Sequence, residues 1–287
     1  MYLVIVILKF CLFIILAPLV SGFITYLKNN LRMRKGQSIL QPYFNLQKLF
    51  NKDEVISVTA SWIFKTAPFV VIASMLTGLV VVCWPGDLLI LIFVFALGRF
   101  FIALAGLDTG SAFGGMGSSR EMFISSLAEP SAGLAVFALA LQYGSTSVNA
   151  LTGTHAFSFA TLAAAATLFI VILAETSRIP VDNQETHLEL TMIHEAMVLE
   201  YSGRRLALIE MASYIKQMTW LVLLSLILLP VLLHDLFWTL VMIAVFSALI
   251  AVVEVSISKM RLFRVADLFG LAFGLAAAAL VCAMLGV

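Results

Sequence analysis

Eight apolar runs, each close to the length of a bilayer crossing, restrict the fold of this chain more than any other feature. A hydrocarbon core about 30 Å thick takes about 20 apolar residues as helix. The runs cover roughly residues 3–26, 66–84, 88–106, 122–142, 157–176, 207–232, 236–256 and 268–286. The expected fold is all-α: a polytopic membrane protein of eight crossings, one integral membrane domain over residues 1–287. Only 11% of residues are charged, against about 25% in soluble domains, so most of the surface is expected to face lipid or other membrane helices. The first run lacks the positive flank of a secretory signal and exceeds the signal's apolar length of about 7–15 residues. It is read as a retained first span.

Lys and Arg set the orientation. The loops at about 27–65, 107–121, 177–206 and 257–267 hold fourteen of them, and the intervening loops hold none. These four loops are therefore expected in the cytoplasm, with both termini outside and a cytoplasmic partner covering the polar loops. The formal charge of +1 says nothing about nucleic acid, but no basic block of the kind a phosphate backbone needs is present, so no nucleic-acid partner is expected. Cys11, Cys83 and Cys282 each stand alone in an apolar run. With no CxxC pair, the chain is expected to bind no iron–sulfur cluster or zinc, and any electrons travel on another subunit.

Charges inside apolar runs cost about 2.5–3.5 kcal/mol at the bilayer centre on insertion scales and need partners or a wet cavity. Lys9, Arg99, Glu129, Glu175, Glu210, Lys216 and Glu254 are such charges. Lys9 is near an end and can snorkel, whereas Arg99 is midway along its run and is expected to pair with a carboxylate on another helix. Glu129 precedes Pro130, a helix-breaking residue that frees backbone carbonyls. Glu210, Tyr214 and Gln217 share a helix face, while Lys216 lies about 120° around from Glu210 and needs a separate partner. Such acids and bases serve either as ion pairs that set helix register or as stations of a proton path.

The segment GLDTGSAFGGMGSSRE, Gly106 to Glu121, lacks the GK[ST] and preceding strand of a phosphate-binding loop. It reads as a tight turn closely approached by other backbone, with Asp108, Arg120 and Glu121 as polar contacts and the last two at the start of a helix. The most distinctive stretch is AETSRIPVDNQETHLELTMIHEAMVLEYSG, residues 174–203, with six carboxylates between two apolar runs. Ile179–Pro180 ends the preceding helix. Leu188, Met192, Ala196 and Leu199 then predict an amphipathic helix over about 184–200, lying at the cytoplasmic surface or against a partner. It has no Lys or Arg, which favours protein over lipid contact. His187 and His194 would stand about 10.5 Å apart along it, too far to share one metal ion.

AETSRIPVD, then E-x-x-x-E-L, then EYSG resembles the acidic loop of the H-type membrane subunit of respiratory complex I. It also resembles the homologous subunit of energy-converting group 4 nickel-iron hydrogenases, including formate hydrogenlyases. The matching residues are Glu175, Arg178, Pro180, Asp182, Glu185, Glu189, Leu190, Glu200, Tyr201, Ser202 and Gly203. The glycine-rich segment and APLVSG…RKGQSILQPYFNLQKLF are closer to the hydrogenase branch. Val181 stands where phenylalanine is usual, and Gly36-Gln37 where Pro-Gly is usual.

The resemblance implies a non-catalytic membrane-anchor and coupling subunit of a redox-driven, ion-translocating complex in a bacterial or archaeal inner membrane. Nickel-iron and iron–sulfur centres would reside in hydrophilic partner subunits, and antiporter-like membrane subunits would be neighbours. Glu129, Glu175, Glu210 and the loop acids Asp182, Glu185, Glu189 and Glu200 carry over as coupling candidates, and the intramembrane charges Arg99 and Lys216 join them. Arg120 and Glu121 carry over to the loop facing the redox module, and Asp108 and Arg178 are placed with them. A quinone-binding subunit like that of complex I, a solitary transporter and a purely structural anchor stand as alternatives.

Overall fold

The computed structural model describes residues 2–57, 59–84, 86–151, 158–183, 192–229 and 235–286. In chain order the helices are α1 (Tyr2–Leu31), α2 (Gln41–Phe50), α3 (Trp62–Cys83), α4 (Leu88–Asp108), α5 (Ala112–Tyr143) and α6 (Val148–Leu151). They continue with α7 (Phe159–Glu175), α8 (His194–Val198), α9 (Gly203–Leu228), α10 (Leu236–Ser256) and α11 (Leu262–Leu285). Seven of these are long and apolar enough to cross a membrane: α1, α3, α4, α5, α9, α10 and α11. The eighth expected crossing is α7, an apolar helix of 17 residues. At 1.5 Å per residue it spans about 25 Å, and its last residue, Glu175, is buried inside the protein.

Local chemistry sets the helix starts. The side chains of Ser61, Asp87 and Ser111 accept from Ile63, Leu89 and Gly114 N–H groups at the starts of α3, α4 and α5. Ser158 and Thr161 form a reciprocal capping box on α7. Gly144 and Gly286 close α5 and α11 in the left-handed conformation that glycine adopts without penalty. Pro18, Pro68 and Pro130 lie inside helices that continue past them, so Pro130 does not end the span that carries Glu129. Neighbouring helices and local adjustment make such prolines tolerable in membrane spans.

The core joins α3, α4, α5, α7 and α9. α11 lies against α5 and α7, and α10 against α1. Two of the loops free of Lys and Arg meet at one end, where Asp87 pairs with Ser147 as an isolated bridge and accepts a hydrogen bond from Thr146. The basic loops meet at the other. There Lys259 contacts Asp182 at 2.7 Å, Arg205 contacts Glu54 at 3.5 Å, and Met260 N–H donates to the Pro180 carbonyl.

Three expectations change. The loop expected at 27–65 contains the end of α1 and the whole of α2. The glycine-rich segment is a turn only over residues 109–111, between the end of α4 and the start of α5 at Ala112, so Arg120 and Glu121 lie two turns into a helix. Its glycines serve close approach. A Cβ on Gly114 would stand 2.3 Å from the Gly106 carbonyl oxygen, and one on Gly117 would stand 2.9–3.0 Å from α8 and the residue before it. The amphipathic helix expected over 184–200 falls partly on residues 184–191, outside the described residues, together with Glu185, His187 and Glu189. Its described part, α8, is no surface helix. It packs against α4 and α5 with Ala196, Met197 and Val198 buried, while Leu199 is exposed. The Asp182 carboxylate holds α8 there by accepting from Ile193 N–H at 3.2 Å and His194 N–H at 3.1 Å.

Candidate functional site

Two buried ion clusters lie in the half of the bundle nearer the basic loops. The first surrounds Arg99 of α4, whose side chain is 5% exposed. Its Nη1 donates to Glu129 of α5 at 2.6 Å, its Nη2 pairs with Glu175 at the end of α7, and its Nε lies 3.6 Å from Glu121 of α5. Lys216 of α9 reaches the other oxygen of Glu175 at 2.5 Å. Two cations from α4 and α9 thus face three carboxylates from α5 and α7. Arg99 has the carboxylate partner on another helix that its depth demands, and Lys216 has one separate from the Glu210 stripe. The acids differ in access: the Glu175 side chain is 4% exposed and that of Glu129 is 39% exposed.

The second cluster inverts the balance. Glu254 of α10 stands 2.9 Å from Lys28 Nζ of α1 and 3.1 Å from Arg178 Nη1. Arg178 also donates to Gln217 of α9 at 3.1 Å and to Ser21 of α1 at 3.3 Å. Arg178, expected on a loop facing a partner, is therefore buried at 6% exposure. The turn after α7 carries it inward: Ser177 takes φ +51° and the Arg178 N–H donates to the Leu173 carbonyl. Glu121, expected on the same outward side, points at Arg99.

Water-sized cavities link the clusters. About 40 Å³ beside Arg99, Glu175 and Lys216 shares His194, Ile209 and Ser213 with a second cavity of about 150 Å³. The second holds the Glu210, Tyr214 and Gln217 stripe together with Glu195 and Arg178. A third, of about 60 Å³, lies among Lys28, Arg178, Asp182 and Glu254. A water needs roughly 10–15 Å³ of such space and polar partners, and all three cavities meet both conditions.

The remaining candidates have local duties. Asp108 accepts from Ser61 N–H at 2.8 Å and Phe64 N–H at 3.3 Å, fastening the end of α4 to the start of α3. Arg120 donates to the Met192 carbonyl at 3.1 Å. Asp182 is buried between Lys259 and the start of α8. Glu200 is exposed, but its neighbours in EYSG form a clamp. Tyr201 stacks on Phe64 at 3.9 Å and donates to its carbonyl, and Ser202 bonds both the N–H and the carbonyl of Val55. Burial pushes the Tyr201 phenol pKa up, keeping it a neutral donor. Gly203, at φ +54°, leaves room for the Asp53 and Lys52 carbonyls.

Lys28 is the residue that sequence reasoning missed, having been assigned to a loop. A signal was present: Ser21, Thr25 and Lys28 recur at spacings of 4 and 3, a polar helix stripe, and all three line the third cavity. Glu254 was recognised as an intramembrane charge but not as the centre of a cluster.

The NADH dehydrogenase family profile matches residues 3–285. Hydrogenase-4 component C of Escherichia coli K12 is 33% identical over 291 residues, covering 93% of this chain and 91% of that protein. Formate hydrogenlyase subunit 4 of the same organism is 33% identical over 216 residues, covering 70% of this chain and 69% of the relative. Among solved structures, a chain of the membrane-bound sulfane sulfur reductase, an archaeal respiratory membrane complex, superimposes with a TM-score of 0.83. It shares 20% identity and covers 98% of this chain and 99% of its own length.

Proposed function

Because the chain belongs to the NADH dehydrogenase family, we propose that it is the membrane-anchor and coupling subunit of a hydrogenase complex of the formate hydrogenlyase type. The observation that carries this reading is the Arg99 cluster, in which acids from separate helices, Glu175 among them buried, meet beside a wet cavity that adjoins a second one holding a further acid, Glu210. The basic end of the bundle docks a hydrophilic redox module on the cytoplasmic side, and positively charged loops favour that orientation. Redox events there shift the charge balance around Glu210 and Glu195. Protons then pass along waters and Ser213 towards Glu175, and Arg99 hands the change to Glu129. Glu129 is exposed on a membrane-spanning helix, and an acid so placed calls for a neighbouring membrane subunit.

The chain's own residues do not suit it to carry electrons. Its three cysteines lie on α1, α3 and α11, with Cys11 exposed and the other two partly buried. Nickel-iron and iron–sulfur centres are assigned to partner subunits, where they supply the electron transfer. The inner cavities bounded by described residues, about 40 and 150 Å³, are also below the roughly 300–1,000 Å³ of small-molecule sites. They suit waters better than a quinone headgroup, and no step here passes through a quinone.

A pull-down of the tagged chain in mild detergent, with metal analysis and identification of the retained subunits, tests the assignment. Nickel with iron–sulfur subunits supports it. Iron–sulfur subunits without nickel favour a quinone reductase, and a chain that purifies alone and metal-free sinks both. Glu175→Gln and Glu210→Gln should each reduce redox-driven proton movement in vesicles while hydrogenase subunits remain bound. A purely structural anchor would leave that movement unchanged.

A further inference from the structure

Outside the buried clusters, a groove of about 780 Å³ lies between the end of α1, the segment after it and the start of α2. Three cations line it, Arg32, Arg34 and Lys35, with the amides of Asn29, Gln37 and Gln41. No carboxylate among the described residues lines it. The groove is built by close backbone contacts. A Cβ on Gly22 would stand 2.0 Å from the Ile39 carbonyl oxygen, and one on Gly36 would stand 2.2–2.6 Å from the Asn29 side chain. The segment after α1 thus folds back along that helix, and Tyr43 bonds the Ile15 carbonyl beyond it. Arg32 is steadied by donating to the Glu254 carbonyl at 3.4 Å.

Next to this polar groove the chain exposes large apolar side chains. Met33, between two of the cations, is 94% exposed, and Leu31, Leu40 and Phe44 are 50–56% exposed. Positive φ at Met33, +53°, turns it away from the line of α1. A cationic, amide-lined hollow bordered by apolar side chains at the end of a membrane-spanning helix matches one amphiphile in both halves. We propose that the groove holds the phosphate headgroup of an anionic phospholipid, with its acyl chains lying along α1 and the exposed apolar residues. An acidic protein segment would satisfy the cations but leave Met33, Leu31 and Leu40 in water. A lipid covers them, and basic residues near the membrane surface attract anionic headgroups.

The test uses the tagged chain purified in mild detergent with the subunits it retains. Bound lipid is extracted and quantified, and rebinding is measured after delipidation with phosphatidylglycerol, phosphatidylcholine and inorganic phosphate as separate probes. Phosphatidylglycerol should be retained and should rebind well ahead of phosphatidylcholine. Arg34→Gln and Lys35→Gln should each weaken rebinding about fivefold, and the Lys48→Gln and Lys52→Gln controls outside the groove should not. Arg34 and Lys35 are exposed, so these variants leave the core intact. Equal retention of both lipids would overturn the proposal. So would full binding by the variant that combines Arg34→Gln with Lys35→Gln, or saturation by inorganic phosphate that excludes the lipid.

Discussion

The Arg99 and Glu254 clusters sit in the same half of one bundle, are both buried and both join several helices, yet their charge balance is opposite. Around Arg99, two cations serve three carboxylates, one of them reaching the outside of the bundle. Around Glu254, one carboxylate serves two cations, all nearly inaccessible. An acid-rich cluster with an accessible member can change protonation without leaving a buried charge stranded. A cluster with a single acid cannot, because neutralising it sets Lys28 against Arg178 with no carboxylate between them. Under the proposed function, coupling falls to the first cluster and helix registration to the second.

The comparison breaks most readily at Glu254. Glu254→Gln should cost about 3–5 kcal/mol, as expected when one partner of a buried ion pair is removed, and thermal unfolding in detergent would read it. Glu175→Gln should cost less, about 2–3 kcal/mol, because Arg99 keeps Glu129 and Glu121 and only Lys216 loses its partner. If the two substitutions cost the same, the division of roles fails. Gly117→Ala should cost about 1–2 kcal/mol by overpacking against α8. It should disturb proton movement more than Glu254-centred stability, since α8 carries the His194 that lines both inner cavities. The smallest effect belongs to Asp182→Asn. It removes the charge facing Lys259 but keeps an acceptor for the start of α8, and about 1 kcal/mol is expected. A larger loss would mean that Asp182 helps neutralise Lys28 and Arg178 across the third cavity.

How much of this was legible beforehand varied by residue. Arg99 announced its need for a partner because an arginine midway along an apolar run has no other way to remain charged. The separate directions of Glu210 and Lys216 followed from helical periodicity. Arg178 and Glu121 misled because both occupy segments that read as polar loops, and burial of a loop by neighbouring helices leaves no periodic mark. The glycine-rich segment was legible as a place of close approach. Its helical state was not, since glycine's low helix propensity points the other way and only packing against α4 and α8 reverses it.

By itself, the sequence determined an all-α membrane protein, its approximate crossings and the one end at which its basic residues gather. Apolar run length and the cost of buried charge are local properties, so they need no knowledge of neighbours. The tertiary structure alone decided which charges meet. The partners of Arg99 lie 22, 30 and 76 residues away along the chain, and those of Glu254 lie on α1 and beyond α7. Such pairings depend on helix order and rotation in the bundle, and those come from packing between distant segments.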